Sequence, residues 1–444
     1  MKNSSTKEKE AEKNEKGLED RLEQGLMKLQ APKDMEQLAE ETKALIRRRG
    51  VHGAMDLLRM VMGYCVLGYS FRMLGAWCVL RGIGYMSKTA VRKRLQKCEQ
   101  WLGKLIIIAL QQQQVMMPKS KIAAKPVIVD ASVVCQPGSK GSDWRVHLRF
   151  DLLNSCIDQV TVMDGHGAEG LPRFQFGPGD ICLADRAYAT AKSLGWILAQ
   201  KAWLVIRSGW NRLALETEDG RRFEVVEWLR SIHLAPLGEP AEVGVSVKTP
   251  QGRFPLRLVA QAISAEAAEK ARRKVRQDAQ KNHHTPDERS LFAAGFVILL
   301  TNLPSLDWSM ATVLQLYRFR WQVEITFKRL KSIMFLDALR CKDAQLAQVF
   351  LLGKLLAALA IQRIQLALNA NFNDAFHSSA RPLNLFSLQT YLWEQLKTTV
   401  RGLISLAAIF AQFDRLLRYF ADEPRKRKRQ SVQADLIFRR FVPC

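Results

Sequence analysis

The sequence predicts an α/β chain: a sheet-forming middle flanked by helical regions at both ends. Three patterns carry this reading. Capped, helix-period segments fill residues 18–115, buried-strand runs and period-two alternation take over from about residue 125, and long helix-period segments return after residue 309. With 444 residues the chain exceeds one ordinary core, so several domains are expected.

Taken in order, residues 1–17 are charged and low in complexity and read as a disordered tail. Residues 18–115 read as a helical domain. After the helical but polar run from 18 to about 49, Leu57, Leu58, Val61 and Met62 form one apolar face. Ser70 caps a helix running to Leu80, Gly82–Gly84 makes a turn, and Ser87 caps a basic helix over 88–102 carrying Arg92, Lys93, Arg94 and Lys97. Helix, tight turn, capped basic helix is the helix-turn-helix shape, which makes Arg92, Lys93 and Arg94 candidate DNA contacts. A helical bundle with solvated cations fits the same pattern. Gln111–Gln114 reads as a linker or helix end.

Residues 125–208 read as the first part of a catalytic core. Val127–Val129 is a buried strand closing on Asp130. Residues 144–152 alternate, with Trp144, Val146, Leu148, Phe150 and Leu152 on one side and Arg145, His147, Arg149 and Asp151 on the other. Further strands follow at 159–163, 181–184 (closing on Asp185) and 203–207, with a helix at 190–200. Residues 209–300 read as a β-rich insertion, with strands at 223–226, 243–247 and 256–259, a basic helix at 265–280 and a strand or buried segment at 292–301. Adjacent His283 and His284 lack ligand spacing and read as solvated. Residues 301–385 hold one long helix over 309–331 and a strongly apolar one over 344–368 that packs on it. Residues 386–444 form a helical C-terminal region with a basic run at 424–430.

Lys and Arg number 67 against 43 Asp and Glu, a formal net charge of +24. A polyanionic partner accounts for such a surplus through phosphate contacts and counterion release. The eight cysteines are scattered without a CxxC or a zinc spacing, which fits a reducing, cytosolic compartment. No signal-peptide pattern follows Met1, and the apolar runs at 105–110 and 291–300 are too short to span a bilayer, so no membrane partner is expected. A sugar-phosphate or dinucleotide enzyme would need a GxGxxG or GxxxxGK loop, which the sequence lacks, and would leave the charge unexplained.

Three acids stand out. Asp130 and Asp185 each sit at the carboxyl end of a buried strand, a favoured site position in α/β sheets. The third is Glu324. At about 100° per residue, Tyr317, Arg320, Glu324 and Lys331 fall on one narrow helical stripe with Lys328 at its edge. An Arg320–Glu324 surface pair would give the same stripe. Converging with two strand-end aspartates, it suits hard, oxygen-seeking cations such as Mg²⁺, with Mn²⁺ as a substitute. Two such ions roughly 4 Å apart would bind a scissile phosphate from both sides. Tyr317, Arg320, Lys328 and Lys331 would then hold the DNA backbone, and Trp321 would stack on an unpaired base or sit in the core.

The segment YRFRWQVEITFKRLK (317–331) carries Tyr, two residues, Arg, three residues, Glu, six residues, Lys. This pattern resembles the signature of the IS4-type DDE transposases of bacterial insertion sequences. VDASVVCQPGSK (129–140) and WRVHLRFDL (144–152) are similar to the family's first-aspartate block and following strand. GDICLADRAY (179–188) is similar to its second-aspartate block, with Ala187 where many relatives carry Gly. The likeness covers about 50–385. It implies an RNase H-like core interrupted by a mostly β insertion, and Asp130, Asp185 and Glu324 as the catalytic, metal-holding triad. It further implies binding of terminal inverted repeats, cleavage and strand transfer on double-stranded DNA of element ends and target, a homodimer in the synaptic complex, and a bacterial cytoplasmic, nucleoid-associated protein. Trp210 in the insertion is the candidate for holding a displaced base at hairpinned ends. A related RNase H-like nuclease or recombinase, or a catalytically silent DNA-binding relative, shares much of this reading.

Overall fold

A computed structural model describes residues 32–401, apart from residue 82 and residues 117–123, 166–169, 233–238 and 379–383. The expected tail at 1–17 and the basic run at 424–430 lie outside the described residues. The chain divides into two compact units. One holds the described residues within Met1–Pro118, Val133–Arg145 and Phe327–Arg427, and the other those within Lys119–Ser132 and Val146–Thr326.

The first unit is largely helical. Its amino-terminal part comprises α1 (Pro32–Glu41), α2 (Ala54–Cys65), α3 (Phe71–Leu80), α4 (Lys88–Gln96) and α5 (Glu99–Met116). Both expected caps form: the Ser70 hydroxyl accepts from the Met73 N–H at 3.3 Å and the Ser87 hydroxyl from Ala90 N–H at 3.2 Å. Glycine is required in the turn between α3 and α4. Gly84 has φ 143°, and a Cβ there would come 2.8 Å from the Gly50 Cα. The expected helix over 88–102 is two helices. At Lys97 and Cys98, bonds to the carbonyls three residues back (Arg94, Leu95) tighten the chain into a turn, and Cys98, Trp101 and Leu102 become fully buried.

The carboxy-terminal part of this unit is α12 (Ala344–Ser378) and α13 (Leu385–Arg401). Residues 344–368 of α12 are long and apolar enough to cross a membrane, yet 67% of the most apolar window is buried inside the protein. Several buried polar groups along it are paired. Gln362 Nε2 donates to Gln113 Oε1 at 2.7 Å, Arg363 to Gln112 Oε1 at 2.9 Å, and Gln389 of α13 to Gln365 Oε1 at 3.0 Å. The glutamine run is therefore no linker, and of the two expected readings the helix end holds: it forms the last turns of α5. There it supplies partners to α12, since burying a polar side chain is costly unless it is hydrogen-bonded.

The second unit is built on a nine-stranded sheet ordered β3-β2-β1-β4-β5-β9-β8-β7-β6. Its strands are β1 (Lys125–Val134), β2 (Trp144–Asp151), β3 (Cys156–Asp164), β4 (Asp180–Ala184), β5 (Trp203–Arg207), β6 (Leu215–Glu216), β7 (Ala241–Thr249), β8 (Gly252–Ala262) and β9 (Phe296–Thr301). β1, β4 and β5 run parallel, and β9 joins β5 antiparallel. Helix α6 (Ala191–Ala199), capped by Thr190, lies between β4 and β5. The segment between β5 and β9 adds β6–β8 to the same sheet and contains α7 (Val225–Ile232), α8 (Ala265–Lys281) and α9 (Glu288–Ala293). In place of the expected strand at 223–226, α7 begins at Val225, and its buried Val225, Val226 and Leu229 follow helical rather than alternating spacing.

The alternation of β2 hides a feature. Its polar side is buried too: His147 is fully buried, and Arg149 and Asp151 nearly so. Arg149 donates to both carboxylate oxygens of Asp158 at 2.9 and 2.8 Å, to Asp180 at 2.9 Å and to the Gln175 carbonyl, while Lys125 pairs with Asp158 at 3.0 Å. Burial lowers the Arg149 pKa, but the two aspartates outweigh it and hold the guanidinium above its usual range.

Candidate active site

The site lies where the middle of β1 passes the carboxyl end of β4. Their parallel register pairs Lys125 with Asp180 through Ile128 with Leu183. Carried on two places, it sets Asp130 beside Asp185 on neighbouring strands. Asp185 follows the last residue of β4, and its Oδ1 accepts from the Ala187 N–H at 2.8 Å, which fixes the carboxylate over the turn. The backbone at Ala187 is not left-handed, so alanine fits where relatives carry glycine. Asp130 does not close its strand, since β1 continues to Val134. Its Oδ1 accepts from Ala131 N–H at 2.8 Å.

The third acid comes from the segment after β9. The expected single helix over 309–331 is two: α10 (Met310–Arg318), capped by Ser309, and α11 (Trp321–Ser332). Between them Phe319, Arg320, Gln322 and Val323 bond to carbonyls three residues back, a tightened turn around the buried Phe319. Helical order is nearly kept through this turn, so Arg320 still reaches Glu324 four residues on, with which it forms an ion pair. The same guanidinium lies 3.6 Å from Asp130 Oδ2. Burial lowers its pKa, but Tyr317, Glu324 and Asp130 outweigh this and hold it above the usual range. Tyr317, on α10 against β4 and β5, has its phenol pushed up chiefly by burial. Arg320 and Arg207 oppose the shift and Asp185 adds to it. The Arg320 guanidinium is 6.0 Å from the Tyr317 ring centre.

The second unit thus brings together Asp130, Asp185, Tyr317, Arg320 and Glu324. The other sequence candidates are placed differently. Trp321 begins α11 and is 55% exposed, so it is not a core residue. Lys328 is exposed, while half-buried Lys331 donates to the Val133 carbonyl at 3.3 Å. Trp210 is half-buried. Its Nε1 donates to Ser290 Oγ at 3.0 Å and the Arg289 guanidinium sits 4.6 Å over its ring. Among the amino-terminal candidates, Arg92 pairs with Asp343 at 3.1 Å and Arg94 donates to the carbonyls of Arg47 and Arg49 at 2.8 and 2.9 Å. Lys93 is exposed beside Arg47, Arg49 and Lys97.

A cavity of about 840 Å³ adjoins Asp185. Asp185, Tyr317 and Arg320 form one side of it, with Arg186, Arg207, Trp210 and Lys274 also in its wall. Sequence reasoning missed Arg186, Arg207 and Lys274. The first two follow Asp185 and end β5, so strand-end position was the available signal. Lys274 is one cation among many on a basic helix.

Three carboxylates, partly open to solvent, are a donor set that suits a hard divalent ion. Among the described residues, no three His, Cys, Asp or Glu side chains are gathered closely enough to hold one. The donors fit in kind, and a guanidinium stands between two of them.

The unit sets acids on neighbouring parallel strands beside a cavity whose wall carries Arg186, Arg207, Lys274 and Arg320 as well as Asp278 and Asp287. Comparison with known proteins narrows the class. A family model described as the transposase DDE domain matches residues 123–360, a span containing Asp130, Asp185 and Glu324. The chain is 32% identical to the transposase for insertion sequence element IS421 of Escherichia coli over 339 residues, which cover 75% of this chain and 91% of the relative. It is equally similar over 338 residues to InsL of insertion sequence element IS186A from E. coli K12, covering 75% and 90%. The transposase for insertion sequence element IS231F of Bacillus thuringiensis subsp. israelensis is 26% identical over 250 residues, half of each chain. The chain belongs to the DDE transposase family.

Proposed function

We propose that this chain is the transposase of an insertion sequence, which binds the element's terminal inverted repeats and catalyses Mg²⁺-dependent DNA cleavage and strand transfer. The observation that carries the reading is the juxtaposition of Asp130 and Asp185 on adjacent parallel strands, with Glu324 joined to Asp130 through Arg320. The strand order β3-β2-β1-β4-β5, with β1, β4 and β5 parallel, supports an RNase H-like core.

On this reading Asp130, Asp185 and Glu324 hold the divalent ions. When bound, these ions lower the pKa of an attacking water or 3′-hydroxyl and steady the leaving oxygen. The chain's own side chains do the positioning. Arg186, Arg207, Lys274 and Arg320 line the cavity beside Asp185 and attract backbone phosphates. Tyr317 presents its phenol beside Asp185 and Arg320, in a position to donate to a non-bridging phosphate oxygen. Exposed Trp321 and, separately, exposed Lys328 are further DNA contacts on this reading, and Trp210, in the cavity wall, is the residue to meet a displaced base. Two paired DNA ends call for two protomers, hence a homodimer in the synaptic complex, acting in the bacterial cytoplasm at the nucleoid.

The test uses the protein with its flanking inverted-repeat DNA and Mg²⁺, scoring end cleavage and strand transfer. The native protein cuts, and Glu324→Gln, which keeps size and loses charge, does not. A variant that cuts at the native rate overturns the assignment.

A further inference from the structure

Resting on the metal-dependent reading of this site, we propose that Arg320 is an internal counter-cation that holds the place of a divalent ion between Asp130 and Glu324 until a DNA phosphate draws it away. The geometry carries the argument. One guanidinium reaches two of the three acids, Asp130 at 3.6 Å and Glu324 in direct contact. Asp130 and Arg320 side chains are 18% exposed and Glu324 34%, so water screens the group only in part. Without a cation, carboxylates brought this close repel one another, and the fork of Arg320 relieves that repulsion with a single charge.

A divalent ion bound by the same carboxylates would lie within a few ångströms of the guanidinium and be repelled by it. Arginine cannot deprotonate to make way, so it must move. The structure offers it a destination. Arg320 also lines the cavity of about 840 Å³, beside Arg186, Arg207 and Lys274. A phosphate there would accept the guanidinium's hydrogen bonds in place of the carboxylates. The arm to Asp130, at 3.6 Å, is an ion pair longer than a hydrogen bond and the easier to release. Arg320 sits in the tightened turn between α10 and α11, not within either helix.

The exchange keeps every charge paired: carboxylates pass from arginine to metal and arginine passes from carboxylates to phosphate. Metal and DNA then assist each other's binding, and the coupling is reciprocal. Free protein holds the ion weakly, which keeps the hydrolytic centre incomplete until DNA docks.

The test measures Mn²⁺ binding to the full-length protein without DNA, by the paramagnetic resonance signal of free Mn²⁺. Arg320→Gln is expected to bind Mn²⁺ at least about tenfold more tightly than native protein, and adding Glu324→Gln to that variant should cancel the gain. Equal or weaker binding by Arg320→Gln overturns the proposal. If Arg320→Gln loses native circular dichroism, Arg320→Lys serves instead. Lysine cannot fork to both acids, so a several-fold gain is expected and equal affinity refutes the role. Asp130→Asn separates the two levels of inference. If it weakens Mn²⁺ binding in native protein while Arg320→Gln changes nothing, the metal site stands and the arginine's role falls. If Asp130→Asn leaves Mn²⁺ binding unchanged in both backgrounds, the metal-site reading fails and takes the proposal with it.

Discussion

Lys354 offers a sharp test of how α12 is held to the end of the glutamate-bearing helix. Its side chain is buried, donates to the carbonyl of Met334 two residues past α11, and lies 5.0 Å from the Trp393 ring, 5.2 Å from Phe350 and 6.0 Å from Phe335. Burial lowers its pKa from 10.5 to about 8, against a smaller upward pull from Cys65. The folded pKa is thus below the unfolded one. Between the two values the unfolded chain binds more protons, so this group makes stability rise with pH across the window from about 8 to 10.5. At about 1.4 kcal/mol per pKa unit, the full change is roughly 3 kcal/mol, with most of it gained by pH ~10. Lys354→Met keeps the length and removes the titration. Buried tyrosines and cysteines shift the opposite way in both proteins, so the readout is the difference between native and variant. Urea unfolding of the helical unit at pH 7 and pH 10, followed by circular dichroism, should show native protein gaining about 2–3 kcal/mol relative to the variant. A difference that stays constant over that range would refute the reasoning and mean that the ammonium is no harder to hold in the fold than in water.

Two further outcomes are expected. Arg149→Met leaves Asp158 and Asp180 without their main partner. It should destabilise the sheet unit by about 3–5 kcal/mol in thermal or urea unfolding, as breaking a buried ion pair does. Lys93→Gln should lower the slope of log K against log salt for duplex DNA by about 1 if this lysine meets a phosphate, while Arg92→Gln, whose charge is engaged by Asp343, should leave the slope nearly unchanged.

The sequence is informative where local chemistry decides the outcome. Ser70, Ser87, Thr190 and Ser309 cap helices as hydroxyls before apolar periods should. The strand at 203–207 needed only an apolar run of the right length. It is less informative where tertiary partners decide. Val225 and Val226 favour a strand by propensity, but burial at helical spacing wins. Asp130 looks like a strand end because the residues beside it are apolar, yet pairing carries β1 to Val134. Nothing local marks Phe319 and Arg320 as a tightened turn. The partners of Gln112 and Gln113 lie some 250 positions away on α12, so their run reads only as polar repetition. At the site, spacing placed Arg320 with Glu324, but its reach to Asp130 depends on a register no periodicity contains.

That reach separates two arginines that look alike in sequence. Arg149 and Arg320 each pair with two acids. Arg149 is nearly fully buried, and its fork meets both oxygens of Asp158, a second carboxylate and a carbonyl, so four of its five N–H donors are engaged. Removing it should cost stability and leave the chemistry of the strand ends alone. Arg320 is partly open, one of its two acids is beyond hydrogen-bond length, and it borders a cavity with other cations. Its pairing to Asp130 is incomplete, and the guanidinium is not enclosed by partners as that of Arg149 is. The same residue type therefore fastens the sheet in one place and stands ready to change partners in the other. The difference lies in how many of its donors the fold has already satisfied.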